Sequence, residues 1–220
     1  MLLSMNVIEL FSSIDGEGKR QGFLTTFLRL HDCNIRCSYC DTLYSYGPES
    51  TFESMSVQAV ADVIEQLENH RITITGGEPL LQEPAIIELI DELTRRNHRY
   101  DFNIETNGTI IPSFHRDNVW FTYDYKTPSS LAEDAMNLDI FKVATPADII
   151  KFVVGSMQDL DRMDEILKTY PTDAQIFVSP VWGNIEGATI VDYMKAHNWQ
   201  NVRFQLQIHK FIWDPDAKGV

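Results

Sequence analysis

A chain of 220 residues that is 44% hydrophobic is long enough for one domain with a sizeable core. Its formal net charge of −14 argues against a nucleic-acid binder, because phosphate contacts require a basic surface. No apolar run approaches the ~20 residues of a membrane span, and residues 1–5 are too few for a signal peptide. We therefore expect a single domain over residues 1–220 that works in the cytoplasm. We expect no membrane or nucleic-acid partner.

Short apolar segments alternate with amphipathic segments along the chain. Predicted strands span residues 5–11, 23–30, 72–75, 101–105, 119–124, 149–154, 175–179 and 202–207. Predicted helices span residues 56–69, 83–96, 157–169 and 186–198, and Ser56 is a suitable N-cap for the first. This alternation indicates an α/β fold of right-handed βαβ units, and about seven parallel strands can curl into a barrel or part of one.

The densest basic cluster, Arg95-Arg96 with His98-Arg99, closes the second predicted helix. Basic side chains in the last turn of a helix interact favourably with the helix dipole. We therefore interpret the cluster as helix-terminal charge rather than as a contact for RNA or DNA.

Polar or glycine-rich segments follow directly after six of the predicted strands. They are residues 31–33, 76–79, 106–108, 124–126, 179–180 and 207–209. In parallel α/β folds, functional sites gather at the carboxyl ends of the strands. We therefore expect these six segments to converge on one face of the molecule.

Three cysteines, Cys33, Cys37 and Cys40, follow one of these strands in a Cys-x3-Cys-x2-Cys spacing. An odd number of cysteines cannot pair fully within the chain, and such tight clustering favours metal binding over a disulfide scaffold. Thiolates are soft ligands that suit iron–sulfur clusters or zinc. Three thiolates around a 4Fe–4S cubane leave one iron open to another ligand.

Two alternatives to a cluster are a zinc ion with His31 as the fourth ligand and three thiols that bind no metal. Structural zinc sites usually combine two separated Cys-x2-Cys halves. The second half is missing from this chain. The spacing therefore favours the cluster.

The cysteine spacing, with Tyr39 just before the last cysteine, resembles the defining motif of the radical S-adenosylmethionine superfamily. The run Thr75-Gly76-Gly77-Glu78-Pro79 resembles the superfamily's GGE motif, which meets the methionine amino group of the cofactor. The resemblance implies an abbreviated, modified (β/α) partial barrel whose open iron chelates S-adenosylmethionine. An electron from the cluster would then break the sulfonium C–S bond, which yields methionine and a 5′-deoxyadenosyl radical.

Further segments resemble one family of this superfamily, 7-carboxy-7-deazaguanine synthase. The resemblance is strongest over residues 11–42 and returns at residues 75–79, 105–109, 126–130 and 207–210. It implies a carbon–nitrogen lyase that contracts the ring of 6-carboxy-5,6,7,8-tetrahydropterin to 7-carboxy-7-deazaguanine with loss of ammonia, in queuosine and 7-deazapurine biosynthesis. It also implies magnesium, a homodimer, and an electron donor such as flavodoxin or ferredoxin.

The resemblance assigns roles to individual residues. Those assigned to the cofactor are Tyr39, Asp41, Gly77, Glu78, Glu105, Asp124, Tyr125, Lys126, Ser179, Pro180, Val181 and Trp182. Those assigned to the pterin are Ile14, Asp15, Gly16, Glu17, Arg29, Thr75, His209 and Pro215, and the residue assigned to magnesium is Thr42. The residue types suit these roles, because arginine can clamp a carboxylate bidentately and magnesium prefers oxygen ligands.

Several positions depart from the family pattern. Asp15 stands where the family usually has glutamine, residues 124–126 replace a Ser-Pro-Lys run, and Ser179-Pro180 replaces a Gln-Pro pair. The segment after His209 is also longer than in many members. The runs Gly16-Glu17-Gly18 and Cys40-Asp41-Thr42 match the family and distinguish it from most of the superfamily. Two competing hypotheses are a glycyl-radical activase, which would not explain these two runs, and a zinc-binding protein without catalysis.

Overall fold

The computed structural model describes residues 3–215 and 217–220. Residues 1 and 2, which belong to the segment examined for a signal peptide, lie outside the described residues. Within the described part of the chain, no helix has the length and hydropathy needed to cross a membrane.

The described residues form one sheet of nine strands. The strands are β1 Ser4–Ile14, β2 Leu24–Leu30, β3 Glu53–Ser56, β4 Arg71–Gly76, β5 Asp101–Thr106, β6 Val119–Tyr125, β7 Ile149–Val154, β8 Gln175–Pro180 and β9 Val202–Phe204. Their order is β3-β1-β2-β4-β5-β6-β7-β8-β9, and every pair from β2 to β9 is parallel. The edge strands β3 and β9 do not pair with each other, so the α/β barrel is partial and open, as expected.

Six α-helices occur in the described residues. They are α1 Val57–Gln66, α2 Glu83–Arg96, α3 Ile140–Val143, α4 Met157–Thr169, α5 Gly187–Ala196 and α6 His209–Ile212. The four longer helices confirm the four predicted ones. As predicted, Ser56 caps α1, because its side-chain hydroxyl accepts a hydrogen bond from the Ala59 backbone N–H at 3.2 Å.

The N-terminal strands differ from the prediction of a purely parallel sheet. β1 pairs antiparallel with β2 and with β3. Only residues 15–23 connect β1 to β2, which is shorter than the crossover that parallel neighbours need. β3 was not predicted, because its four residues include a single apolar side chain, that of Met55, and so give no apolar alternation. Residues 205–207, predicted as strand, lie beyond the end of β9.

The basic cluster at the end of α2 serves helix packing. Arg96 forms ion pairs with Glu92 on its own helix at 2.8 Å and with Asp62 and Glu65 of α1 at 2.6 and 2.9 Å. Arg95 also pairs with Glu92. These contacts join the exposed rims of α1 and α2, whose apolar faces are buried in the core.

Candidate active site

The carboxyl ends of the parallel strands open onto a cavity of about 260 Å³. Five of the six polar segments predicted to converge contribute lining residues directly, and the sixth contributes through Val181 and Trp182, which follow it. The predicted site residues that line the cavity are Ile14, Asp15, Gly16, Glu17, Arg29, Cys33, Cys37, Tyr39, Cys40, Asp41, Thr42, Thr75, Gly77, Glu105, Asp124, Lys126, Val181, Trp182, His209 and Pro215.

The cysteine loop follows β2 and is tied to its surroundings through backbone hydrogen bonds. The Asp32 N–H donates to the Ser45 carbonyl at 2.8 Å, and the Ser38 N–H donates to the Ser130 carbonyl at 2.9 Å. The Asp32 side chain accepts a hydrogen bond from the Cys33 N–H at 2.8 Å. These hydrogen bonds anchor the loop to residues that precede and follow it in the chain.

The three cysteine thiols fit a cluster better than a single metal ion. All three are free, half-buried and face the cavity. No three histidine, cysteine or acidic side chains of residues 3–215 and 217–220 lie close enough together to hold one ion. The ring of His31, the candidate zinc ligand, packs against Phe52 at 4.3 Å between centroids. Sulfurs spread around the cavity mouth suit a larger group such as a cubane.

The Gly76-Gly77 turn after β4 packs directly beneath this loop. The Gly77 N–H donates to the Leu30 carbonyl at 3.1 Å. A Cβ added at Gly77 would lie 1.9 Å from the Asp32 carbonyl oxygen and 2.9 Å from the Cys33 Cβ. The backbone of the cysteine loop therefore requires glycine at this position.

Replacing Gly77 by alanine is expected to destabilise the protein by about 1–3 kcal/mol, because the added methyl group overpacks a backbone contact. The displaced cysteine loop should also hold less iron. Gly155→Ala is a matched control, since Gly155 also follows a strand but its nearest neighbours would lie 3.4 Å from an added Cβ. Urea unfolding and iron content should be measured for both variants. Equal stability and equal iron content in Gly77→Ala and Gly155→Ala would show that the close contact at Gly77 affects neither property.

Glu78 joins the turn after β4 to the loop after β5. Its buried carboxylate accepts hydrogen bonds from the Leu80 N–H at 2.9 Å, the Asn107 N–H at 2.7 Å and the Thr106 hydroxyl at 2.9 and 3.0 Å. It does not line the cavity. The structure thus places Glu78, predicted to bind the cofactor, behind the cavity, where it positions two loops that line it.

Three further residues predicted at the cofactor lie outside the cavity lining. Tyr125 is buried in the core, and its hydroxyl donates to Glu133 at 2.8 Å. The Ser179 hydroxyl donates to Glu17 at 3.0 Å, and Pro180 ends β8 behind it. The cavity is reached instead by the adjacent residues Val181 and Trp182.

A charged network occupies the strand ends around β6 and β7. Lys151 Nζ lies 3.1 Å from Glu17 Oε2 and 3.6 Å from Asp124 Oδ2, and Lys126 Nζ lies 3.1 Å from the same Asp124 oxygen. Gln207 adds a hydrogen bond from its amide to Glu17 at 3.1 Å. Asp124 Oδ1 is buried and has no hydrogen-bond partner among the described residues, so it is a free acceptor at the cavity.

The network sets the charges at the centre of the site. Burial alone would raise the pKa of Glu17, but attraction to Lys151 and the hydrogen bond from Gln207 hold this pKa below its ordinary value. Burial would lower the pKa of Lys151, but Glu17 and Asp124 raise it. The pKa of Glu105 is raised, because burial and the neighbouring charges of Asp15 and Glu17 outweigh Lys151 and the hydrogen bond from Thr75.

Lys151 is the main site residue that the sequence interpretation missed. It is the one charged residue in the apolar run Ile149–Val154, and it is 7% exposed. Buried parallel strands are usually continuous apolar runs, and a buried charge requires a partner. This combination is a signal that would have identified the residue.

Arg29 lies at the end of β2, and only one of its three guanidinium nitrogens makes a hydrogen bond within the described residues. Its Nε donates to Glu9 Oε2 at 3.3 Å, whereas its terminal nitrogens make no hydrogen bond within the described residues. The side chain lines the cavity. These terminal nitrogens can therefore donate hydrogen bonds to an oxyanion in the cavity.

The Asp15 carboxylate is bound by side chains of the protein itself. Arg20 Nε lies 2.9 Å from Asp15 Oδ2, and the Thr73 hydroxyl donates to Asp15 Oδ1 at 3.1 Å. Arg20 is itself buried, and its guanidinium lies 4.6 Å from the centre of the Trp120 ring. Aspartate in place of glutamine at this position is thus matched by a buried arginine.

The last part of the chain completes the cavity beside the loop after β1. The Ile208 N–H donates to the Gly16 carbonyl at 3.1 Å, and a Cβ at Gly16 would lie 1.9 Å from His209 Nδ1. Burial lowers the pKa of His209. Pro215 lines the cavity together with residues that were not predicted there, namely Asp214, Ala217, Gly219 and Val220.

Thr42 and Asp41 lie at the far end of the cysteine loop. The Thr42 hydroxyl donates to Asp41 Oδ1 at 2.8 Å, and Asp41 Oδ2 lies 3.6 Å from Lys210 Nζ. Both residues line the cavity. Their oxygen atoms are of the kind that magnesium prefers.

The chain is similar in sequence to known proteins over most of its length. The family model of the Radical SAM superfamily matches residues 29–153. A 7-carboxy-7-deazaguanine synthase of Clostridium acetobutylicum is 38% identical over 99% of this chain and 100% of its own length. One from Methanospirillum hungatei is 37% identical over 96% of this chain and 86% of its own.

Among solved structures, the crystal structure of QueE from Escherichia coli has the same fold. It matches with a TM-score of 0.70 and 22% identity over 92% of this chain and 93% of that chain. Together with the superfamily match over more than half of the sequence and the full-length relatives at 38% and 37% identity, this shows that the chain belongs to the 7-carboxy-7-deazaguanine synthase family of radical SAM enzymes.

Proposed function

We propose that this chain contracts 6-carboxy-5,6,7,8-tetrahydropterin to 7-carboxy-7-deazaguanine with loss of ammonia, a step toward queuosine. One observation carries the proposal. A single cavity is lined both by the three cysteines and by the polar side chains of Glu17, Arg29 and His209. Chemistry initiated at the cysteines can therefore reach a small polar substrate without a second site.

The cofactor part of the proposal concerns the cysteine side of the cavity. A 4Fe–4S cluster on Cys33, Cys37 and Cys40 supplies, when bound, the electron that cleaves S-adenosylmethionine. Gly76 and Gly77 line the cavity together with Cys33, and Asp124 Oδ1 offers a free acceptor for a hydroxyl or ammonium donor. Lys126 lies beside Asp124 and keeps a positive charge at the same place.

The substrate part of the proposal concerns two groups of the pterin. Its carboxylate requires hydrogen-bond donors, and the N–H groups of its ring require acceptors. Arg29 has free terminal nitrogens that suit the pterin carboxylate. Glu17 is held ionised by Lys151, and an ionised carboxylate accepts hydrogen bonds from N–H groups of the ring. His209 is held in contact with Gly16 and, since burial lowers its pKa, is kept in its neutral form near pH 7.

Arg29→Ala is expected to weaken pterin binding by about 2–5 kcal/mol, because it removes one partner of a desolvated charge pair. The dissociation constant should be measured by isothermal calorimetry on the anaerobic, cluster-loaded protein. Arg29→Lys is the matched control, since it keeps the charge but loses the planar fork, and it should recover only part of the affinity. Unchanged affinity in Arg29→Ala would refute the clamp.

The proposed function is tested by incubating the reconstituted and reduced protein with S-adenosylmethionine, magnesium and the carboxypterin without oxygen. We expect 7-carboxy-7-deazaguanine and ammonia in equal amounts. If the protein cleaves S-adenosylmethionine but forms no ring-contracted product, the pterin assignment is wrong. A glycyl radical formed on an added partner protein under those conditions would instead favour the activase hypothesis.

Several finer properties belong to the same proposal. We propose that Thr42, with Asp41 beside it, holds magnesium, because the two side chains bring oxygen atoms together at the cavity. We also propose a homodimer that works in the cytoplasm and receives electrons from a flavodoxin or ferredoxin. The continuous sheet of nine strands in the described residues supports a single domain.

A further inference from the structure

A buried amide faces one of the three cysteine thiols. Asn107 lies in the loop after β5 and is 6% exposed. Its side-chain nitrogen donates to Cys33 Sγ at 3.7 Å and to the side-chain oxygen of Asn34 at 2.9 Å. None of the roles assigned above uses this amide.

The orientation of the Asn107 amide is determined by its oxygen. That oxygen accepts hydrogen bonds from the Thr109 N–H at 3.1 Å and from the Thr109 hydroxyl at 2.7 Å. Both of these groups are donors, so the nitrogen must face the sulfur. The Asn107 backbone N–H is bound to the buried Glu78 carboxylate at 2.7 Å, which fixes the position of the residue as well as its rotation.

We propose that Asn107 is a positioning residue that raises the reduction potential of the cluster by donating a hydrogen bond to the Cys33 thiolate. Reduction adds negative charge to the cluster and its sulfur ligands, so a donor at the sulfur stabilises the reduced state more than the oxidised state. The donor is buried, and a hydrogen bond in a medium of low dielectric constant is electrostatically stronger than one in water.

The negative charge near the cysteines would lower the reduction potential of the cluster, and the Asn107 donor acts against this effect. The chain carries a net charge of −14, and the buried carboxylate of Glu78 accepts a hydrogen bond from the Asn107 N–H, while the Glu78 N–H is bound to the carbonyl of Asp32, next to Cys33. Negative charge beside a cluster ligand opposes the arrival of an electron. A neutral donor aimed at a ligand sulfur offsets that opposition without adding a cation that could compete for the cofactor carboxylate.

The inference rests on the cluster part of the proposed function and not on the identity of the substrate. It is tested without the pterin, by redox titration of the reconstituted protein with detection of the reduced cluster by electron paramagnetic resonance. In Asn107→Leu, which keeps the branched side chain with the same number of heavy atoms but removes the donor, we expect the reduction equilibrium constant to fall about tenfold, equivalent to ~59 mV for a one-electron couple. The coupling of an exchangeable deuteron to the cluster in D2O should weaken at the same time.

Asn34→Ala is the control for a purely structural effect. It removes the other partner of the Asn107 nitrogen and leaves the N–H to Cys33 in place, so the potential and the deuteron coupling should match those of the wild-type protein. Asn107→Asp is a second variant without the N–H donor that keeps an acceptor for Thr109, and because its carboxylate also adds negative charge beside Cys33, its potential should be lower than that of Asn107→Leu.

The outcomes separate the inference from the proposed function. Wild-type protein that holds no iron would overturn both. Wild-type protein with a full cluster, together with an unchanged potential in Asn107→Leu, would overturn the inference alone. Loss of iron from both Asn107 variants would also overturn it, in favour of a role in holding the loop.

Discussion

Replacing Cys37 by alanine is expected to abolish the binding of iron and sulfide and with it all cleavage of S-adenosylmethionine. Three thiolates are the smallest set proposed to hold the cubane, and they come from Cys33, Cys37 and Cys40 alone among the residues that line the cavity. Two thiolates would leave two irons without protein ligands. Iron and sulfide per chain should be measured after anaerobic reconstitution, and cofactor cleavage should be followed by chromatography.

Ser38→Ala is a suitable control for Cys37→Ala. Ser38 is the next residue in the loop, is exposed, and uses its hydroxyl only to donate to the Ser129 carbonyl. This variant should bind as much iron as the wild-type protein. Cofactor cleavage that persists in Cys37→Ala would show that the three cysteines do not act together.

Lys151→Met is expected to lower the free energy of unfolding by about 3–5 kcal/mol, because it leaves the buried Glu17 carboxylate without its cation, whereas Asp124 keeps Lys126. Lys151 and Glu17 have side chains that are only 9% and 12% exposed, so solvent screens the pair weakly. Urea unfolding at neutral pH measures the effect. Adding Glu17→Gln to Lys151→Met should restore part of the loss, since it removes the orphaned charge.

A matched control for this prediction is Lys142→Met. Lys142 pairs with Asp139 at the surface, where the two side chains are 75% and 58% exposed, so solvent screens the pair and the substitution should leave the free energy of unfolding nearly unchanged. Equal losses in Lys142→Met and Lys151→Met would contradict the assignment of a buried network.

The ion pair between Lys151 and Glu17 also predicts how the stability of the protein depends on pH. The fold holds the pKa of Glu17 below its ordinary value, so its contribution is present above the pKa of an unfolded glutamate and is lost as pH falls through the folded pKa. The fold raises the pKa of Lys151, so that contribution is present below the pKa of an unfolded lysine and is lost as pH rises through the folded pKa. The difference between wild type and Lys151→Met should therefore be largest between these two limits.

Much of the fold was predictable from local patterns. The four longer helices follow from apolar spacing, and the parallel strands from short apolar runs with turn residues between them. The convergence of the strand ends follows from the same alternation. The antiparallel start of the sheet was not predicted, because strand direction depends on the length of a connection and on pairing rather than on the residues within β1.

The site was predictable where it depends on sequence spacing and not where it depends on distant partners. The cysteines lie within one loop, so their spacing alone indicated a shared ligand. Glu17 and Lys151 are separated by 134 positions, and no local pattern links them. Likewise, the match between Asp15 and the buried Arg20 is visible only when both side chains are seen in space.

The contacts between the loop after β1 and the last segment have a consequence for biosynthesis. Glu17 receives hydrogen bonds from Gln205 and Gln207, and Gly16 is covered by His209. A chain still emerging from the ribosome has none of these partners until residues 205–209 have been made. The part of the cavity around Gly16 and Glu17 is therefore completed only when the last strand and the segment after it have been synthesised.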